Sequence, residues 1–176
     1  FSEPYSNCSK GPSGAAARQA TWKGMEKAVK DGLTRAIGVS NFNVEYLTEI
    51  MDGATIKPAV DQCCHSVGNS DRETIAFAKK IGITYQAYSP LGASDIGGTS
   101  ILDYPQLKAI AANHAGKTTA QVALRWLVQG GTPFVTATGR TDYIQEDLDV
   151  FGWELEEKEM LLLDAINVPN ATALSH

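Results

Sequence analysis

The sequence predicts an α/β fold on a parallel sheet, and three observations carry that expectation. Amphipathic segments at helical spacing alternate with short apolar, β-branched runs along most of the chain. Parallel neighbours need a helical crossover, so this alternation points to parallel rather than antiparallel pairing. The apolar runs also lack clean polar alternation, as expected of strands covered on both faces. A closed eight-stranded barrel typically takes about 250 residues. A chain of 176 residues with about four βα units is therefore expected to hold half of a TIM-type (β/α) barrel, with two open edges.

The elements follow in order. Residues 1–17, rich in Ser, Gly, Pro and Ala, read as an irregular N-terminal extension. From Arg18, Trp22, Met25, Val29 and Leu33 recur at helical spacing, and Asp31-Gly32 ends the helix with a glycine suited to a left-handed residue. Arg35–Val39 reads as a buried strand running into Ser40-Asn41. A helix over 44–51 precedes a strand at 58–62, and a helix over 72–80 ends near Gly82 before a strand at 83–88. After a Gly-rich loop from Gly92 to Ser100 come helices near 107–114 and 119–129. A fourth strand is expected at Phe134–Ala137, then a helix from Thr141 and a last one over 156–166. Residues 18–168 form the expected half-barrel, and 169–176 a tail.

Composition excludes several classes. Net charge is −5, with 43% hydrophobic and 20% charged residues, an ordinary globular balance without the basic stripe of a nucleic-acid surface. No apolar run reaches the length of a membrane span. Phe1–Tyr5 has no basic start leading into an apolar run, so no signal peptide is expected, and the chain reads as starting in mid-protein. Three cysteines, Cys8, Cys63 and Cys64, suit free thiols in a reducing compartment, the cytoplasm or an organelle stroma. Only His65 stands near them, too few ligands for a metal site.

Ligands of parallel α/β folds gather at the C-terminal ends of the strands. The residues there are Ser40-Asn41, Gln62, Tyr88-Ser89 and Thr138-Gly139-Arg140. Amides, hydroxyls and one aromatic ring suit a flat polar heterocycle, because the ring stacks while carboxamides donate and accept in its plane. Polar residues at these places can equally cap strands and satisfy loops. None is an evident acid, base or nucleophile.

The segments Gly32–Phe42, Pro58–Gln62, Ala87–Gly92 and Ala120–Trp126, followed by Tyr143–Phe151, together resemble the aldo-keto reductases in order and spacing over about residues 20–166. The resemblance implies the second half of that family's barrel, an NAD(P)H-dependent reduction of aldehydes or ketones, and NADP(H) or NAD(H) as cofactor. It implies that Ser40, Asn41 and Gln62 bind the nicotinamide carboxamide and that Tyr88 stacks on the ring. Ser89 and Leu91 would line the pyrophosphate path, Thr138 and Arg140 the adenosine 2′-phosphate, and Glu146 and Asp147 the adenine.

The departures are specific. Where the family usually carries a lysine in the 2′-phosphate loop this chain has Ala137, and a family arginine aligns with Tyr143, leaving Arg140 as the nearby cation. A phosphate dianion wants charge-assisted partners, so both cofactors stay open. Asp61 replaces the common asparagine before Gln62. His65 falls at a position better read as structural, with Ser66 for the usual proline, and His114 and His176 carry no expected chemistry. The family's catalytic Asp, Tyr, Lys and His all come from the first half of the barrel, so no catalytic residue is expected in this chain. Two readings follow: a part of a reductase that works with a nicotinamide cofactor and a small carbonyl substrate, or a non-catalytic subunit whose open barrel edges are covered by protein partners.

Overall fold

Three αβ steps organise the chain in the computed structural model, which describes residues 14–92 and 100–167. The elements are α1 (Ala15–Lys30), β1 (Val39–Ser40), α2 (Val44–Met51), β2 (Val60–Cys64), α3 (Arg72–Ile81), β3 (Thr84–Tyr88), α4 (Pro105–Asn113), α5 (Thr119–Gln129), α6 (Thr141–Leu148) and α7 (Glu157–Asp164), with a 3-10 turn at Ile101–Asp103. The strands form one partial parallel sheet in the order β1-β2-β3. Cys8, His176, residues 93–99 of the Gly-rich loop and the 169–176 tail lie outside the described residues. Among the described residues no helix is long and apolar enough to cross a membrane.

Two compact units partition the chain, Phe1–Asp61 with Glu73–Thr84, and Gln62–Arg72 with Tyr85–His176. In the first, Trp22, Ile37 and Ile50 form the core, flanked by Val29, Val39 and Ile56. Helix α1 starts at Ala15 rather than Arg18. Its stripe also differs from the expected one: Met25 and Leu33 are exposed, and Glu26 is buried instead. The Glu26 carboxylate accepts the N–H groups of Thr55 (2.6 Å) and Ile56 (2.8 Å), so a turn that follows α2 takes an acid from α1 as its hydrogen-bond partner. Gly32 has φ 73°, as its place after the helix requires.

Strand β1 is two residues long and starts where the expected strand ends. The Thr34 hydroxyl donates to the Ala36 carbonyl, which ties the start of that segment into a turn. Ile37 still accepts from the Ala59 N–H at 2.8 Å. Gly38 is the point of closest approach: a Cβ there would lie 2.5 Å from Val60 Cγ1 and 2.7 Å from Val60 O. Strand β2 begins at Val60, two residues after Pro58, which has no N–H to offer a ladder.

In the second unit, Leu107 and Ile110 of α4, Val122, Ala123, Trp126 and Leu127 of α5, and Leu163 of α7 close a core with Val67, Ala87 and Leu155. The expected strand at 134–137 reduces to one parallel bridge, Ala87 with Phe134. Ala87 donates to the Pro133 carbonyl and accepts from Val135, both at 2.8 Å. The ladder stops there because Ser89 has φ 50° and turns the chain out of the extended region. Strand β3 alternates in burial, with Tyr85 and Ala87 buried and Gln86 and Tyr88 half-buried. In this strand the faces differ, with Tyr85 and Ala87 on the buried one and Gln86 and Tyr88 on the half-buried one.

Candidate cofactor-binding site

Asn41 and Ser89 are the two non-glycine residues with positive φ among those described, at 58° and 50°. Each directly follows a strand, Asn41 after β1 and Ser89 after β3. Such conformations cost energy in a serine, and they concentrate where a backbone presents groups to a ligand. Ser40 and Asn41 belong to the first unit, and both are exposed.

The second unit carries two clefts. The first, of 450 Å³, lies against Tyr88, Ser89, Pro90, Leu91 and Gly92 on one side and Val135, Thr136 and Ala137 on the other. The second, of 550 Å³, is lined by Thr118–Ala120 at the start of α5, by Thr136–Thr138, and by Tyr143, Glu146 and Asp147 on α6. Leu91, Thr136 and Ala137 line both, so the two clefts adjoin. Of the sequence-predicted residues, Tyr88, Ser89, Leu91, Thr138, Glu146 and Asp147 are thereby brought to one continuous groove.

Gln62 lies in the middle of β2, not at its end as the expected strand 58–62 would place it, because the strand runs on to Cys64. It is half-buried, and its amide nitrogen donates to Gln86 Oε1 at 2.7 Å. Gln86 is absent from the sequence-predicted site. Its signal was the period of two along β3, which puts it on the face of Tyr88.

Arg140, like Ser40, Asn41 and Gln62, is not among the residues that line the groove. Its guanidinium makes two hydrogen bonds to the Asp142 carboxylate, one of them 3.1 Å from Nε, and lies 4.2 Å from the centre of the Tyr143 ring. The hydrogen bond to Asp142 raises the arginine's pKa further and holds the aspartate below its ordinary value. The Asp147 carboxyl is pushed above its ordinary value, by burial first and then by the charge of Glu146.

A polar frame that sequence reading missed holds the groove's second wall. Thr118 and Gln121 form a capping box at the start of α5, with Gln121 N–H to Thr118 Oγ1 (3.2 Å) and Thr118 N–H to Gln121 Oε1 (3.0 Å). The Gln121 amide nitrogen then donates to the carbonyls of Glu146 (3.1 Å) and Asp149 (3.3 Å), which fixes the end of α6. Arg125 donates to the Val150 carbonyl at 3.0 Å.

The remaining groups singled out in the sequence are structural. His65 is buried between Tyr85 and Trp126, with Nδ1 3.1 Å from the Asn69 carbonyl. Burial holds its pKa below the ordinary value against the pull of that carbonyl. His114 Nε2 lies 2.8 Å from Glu159 Oε2 and joins α4 to α7. Asp61 is fully buried and accepts from the Phe42 N–H at 3.4 Å. Cys63 and Cys64 are buried free thiols, the latter shifted up by burial. Among the described residues no cluster of His, Cys, Asp or Glu could hold a metal.

An aldo/keto reductase family model matches residues 6–168, and the chain belongs to that family. It is 40% identical over 144 residues to Protein REDOX 2 of Catharanthus roseus, covering 81% of this chain and 44% of that one. It is 41% identical over 140 residues to the NAD(P)H-dependent 6'-deoxychalcone synthase of Glycine max, covering 78% and 44%. The aldose reductase structure from Schistosoma japonicum superposes with a TM-score of 0.77 at 34% identity, over 89% of this chain and 50% of that one. The chain thus spans about half the length of the relatives it matches, and its partial parallel sheet with helices is about half of an aldo-keto reductase fold.

Proposed function

We propose that this chain supplies the cofactor-binding part of an NAD(P)H-dependent reductase of aldehydes or ketones. The observation that carries this reading is the continuous groove joining Tyr88, Ser89 and Leu91 to Thr138, Glu146 and Asp147 in a chain of the aldo/keto reductase family. The lining suits a nicotinamide dinucleotide: an aromatic ring at one end, hydroxyls and small residues in the middle, and acceptors for an adenosine at the other.

A dihydronicotinamide held there would supply a hydride to a carbonyl carbon. Tyr88 offers the stacking face that selects which side of the ring is presented. Gln62, oriented by Gln86, offers donor and acceptor to a carboxamide. Arg140 is left as a groove-edge residue, since Asp142 already holds its guanidinium. Carbonyl reduction also needs a proton donor beside the carbonyl oxygen. Among the described residues of the first cleft the one titratable side chain is Tyr88, engaged in stacking on this reading, so the donor is assigned to the rest of a longer polypeptide. The buried thiols Cys63 and Cys64 fit a reducing compartment such as the cytoplasm or an organelle stroma.

The test is a titration of the native protein with NADH and NADPH, followed by quenching of its tryptophan fluorescence, together with its intact mass. The expected result is saturable binding by a polypeptide well above the 18.8 kDa of this chain. A native mass of 18.8 kDa with no quenching by either dinucleotide would remove the reductase reading.

A further inference from the structure

The charges around the second cleft decide which dinucleotide it accepts. Two of its lining residues, Glu146 and Asp147, are acidic, and none of its described lining residues is Lys or Arg. Both acids are half-buried on α6, where water screens them less than it would a surface charge. Burial first, and then the charge of Glu146, push the Asp147 carboxyl above its ordinary value. Thr118 and Thr138 add hydroxyls that are neutral.

The cation beside α6 is already paired. Arg140 sits one residue before α6, but Asp142 takes its guanidinium through two hydrogen bonds, and its plane lies over Tyr143. Freeing it for a phosphate would break that pair and leave Asp142 as a further anion at the rim. A phosphate dianion entering here would meet two carboxylates and no lysine or arginine among the described lining residues. A ribose hydroxyl, by contrast, is a donor, and carboxylates are acceptors with room for more than one such bond. An acidic residue on a ribose 2′-hydroxyl is a general device for accepting NAD and refusing its 2′-phosphate.

We infer that the cleft formed by Thr138, Tyr143, Glu146 and Asp147 selects a dinucleotide with a free 2′-hydroxyl, so that the protein works with NADH in preference to NADPH. This rests on the cofactor reading of the groove proposed above. Glu146 and Asp147 are the specificity-determining residues, and Asp142 assists by neutralising Arg140.

The experiment is calorimetric titration of the native protein with four probes: NADH, NADPH, ADP-ribose and ADP-ribose carrying a 2′-phosphate. The expected result is tighter binding of both 2′-hydroxyl probes, by on the order of tenfold over their phosphorylated partners. That gap should narrow as salt is raised, because the refusal is electrostatic, whereas a purely steric refusal would be indifferent to salt. Glu146→Gln with Asp147→Asn should shrink the gap, and the surface variant Asp142→Asn should do so from the other side by releasing Arg140. Equal or tighter binding of the 2′-phosphorylated probes would overturn the inference while leaving the cofactor reading intact. Failure of all four probes to bind would overturn both.

Discussion

Tyr88 and Glu26 call for different measurements, the first of the proposed dinucleotide binding and the second of stability. Tyr88 is half-buried beside the first cleft, where the proposed reading has its ring stack on the dinucleotide. Tyr88→Ala is expected to weaken dinucleotide affinity by about tenfold, the value of one aromatic stack plus its buried area, with little change in unfolding midpoint. Fluorescence titration beside a thermal melt separates the two. Glu26 acts the other way. The N–H groups of Ile56 and Thr55 hold its pKa below the ordinary value, against the burial that would raise it. A depressed folded-state pKa stabilises above the ordinary glutamate range, and that contribution disappears as pH falls through the folded value. Urea unfolding of the native protein against Glu26→Gln should therefore show the largest difference near neutral pH, shrinking in acid. A constant difference across pH would show that the charge is not what the turn uses.

The elements have their own points of failure. Gly38 admits no side chain, because Val60 occupies the place of a Cβ on both its backbone and its side chain. Gly38→Ala is expected to cost about 1–3 kcal/mol through displacement of β2 from the 37–40 segment, measured as a fall in the denaturation midpoint without a change in slope. At the start of α5, the Thr118–Gln121 capping box satisfies helix donors and also places the amide that holds the end of α6. Thr118→Ala should cost about 1 kcal/mol of stability. Because α6 carries Glu146 and Asp147, the same change should also weaken dinucleotide binding, and Gln121→Ala should weaken it more.

At the scale of the whole molecule, the chain spans about half the length of its relatives, and its second unit leaves apolar side chains uncovered. Helix α6 buries none of its residues, and Ile144, Leu148, Phe151, Leu161 and Leu162 are all exposed. Exposed apolar groups in such number favour association. The 176-residue chain is expected to bind a hydrophobic dye strongly and to self-associate, measured by dye fluorescence and sedimentation. A monomer that binds no dye would show that these side chains are covered.

How much was legible beforehand differs from place to place for physical reasons. Helices α2 and α5 appear at the residues the sequence predicts, 44–51 and 119–129, because apolar periodicity and caps are local properties. The order of helices and strands was equally legible, and so were most of the groove residues, since strand ends are visible as apolar runs that stop at small polar side chains. Strand extents were not. Whether Arg35–Val39 or Phe134–Ala137 pairs along its length depends on a partner elsewhere in the chain, on Thr34 turning back to Ala36, and on Ser89 leaving the extended region. Burial of Glu26 in place of Met25 was likewise invisible, because it needs the unpaired N–H groups of a turn some thirty residues away. Arg140 is the sharpest case. As a letter in the sequence it is the cation of a phosphate loop, and only the folded chain sets it against Asp142 and Tyr143.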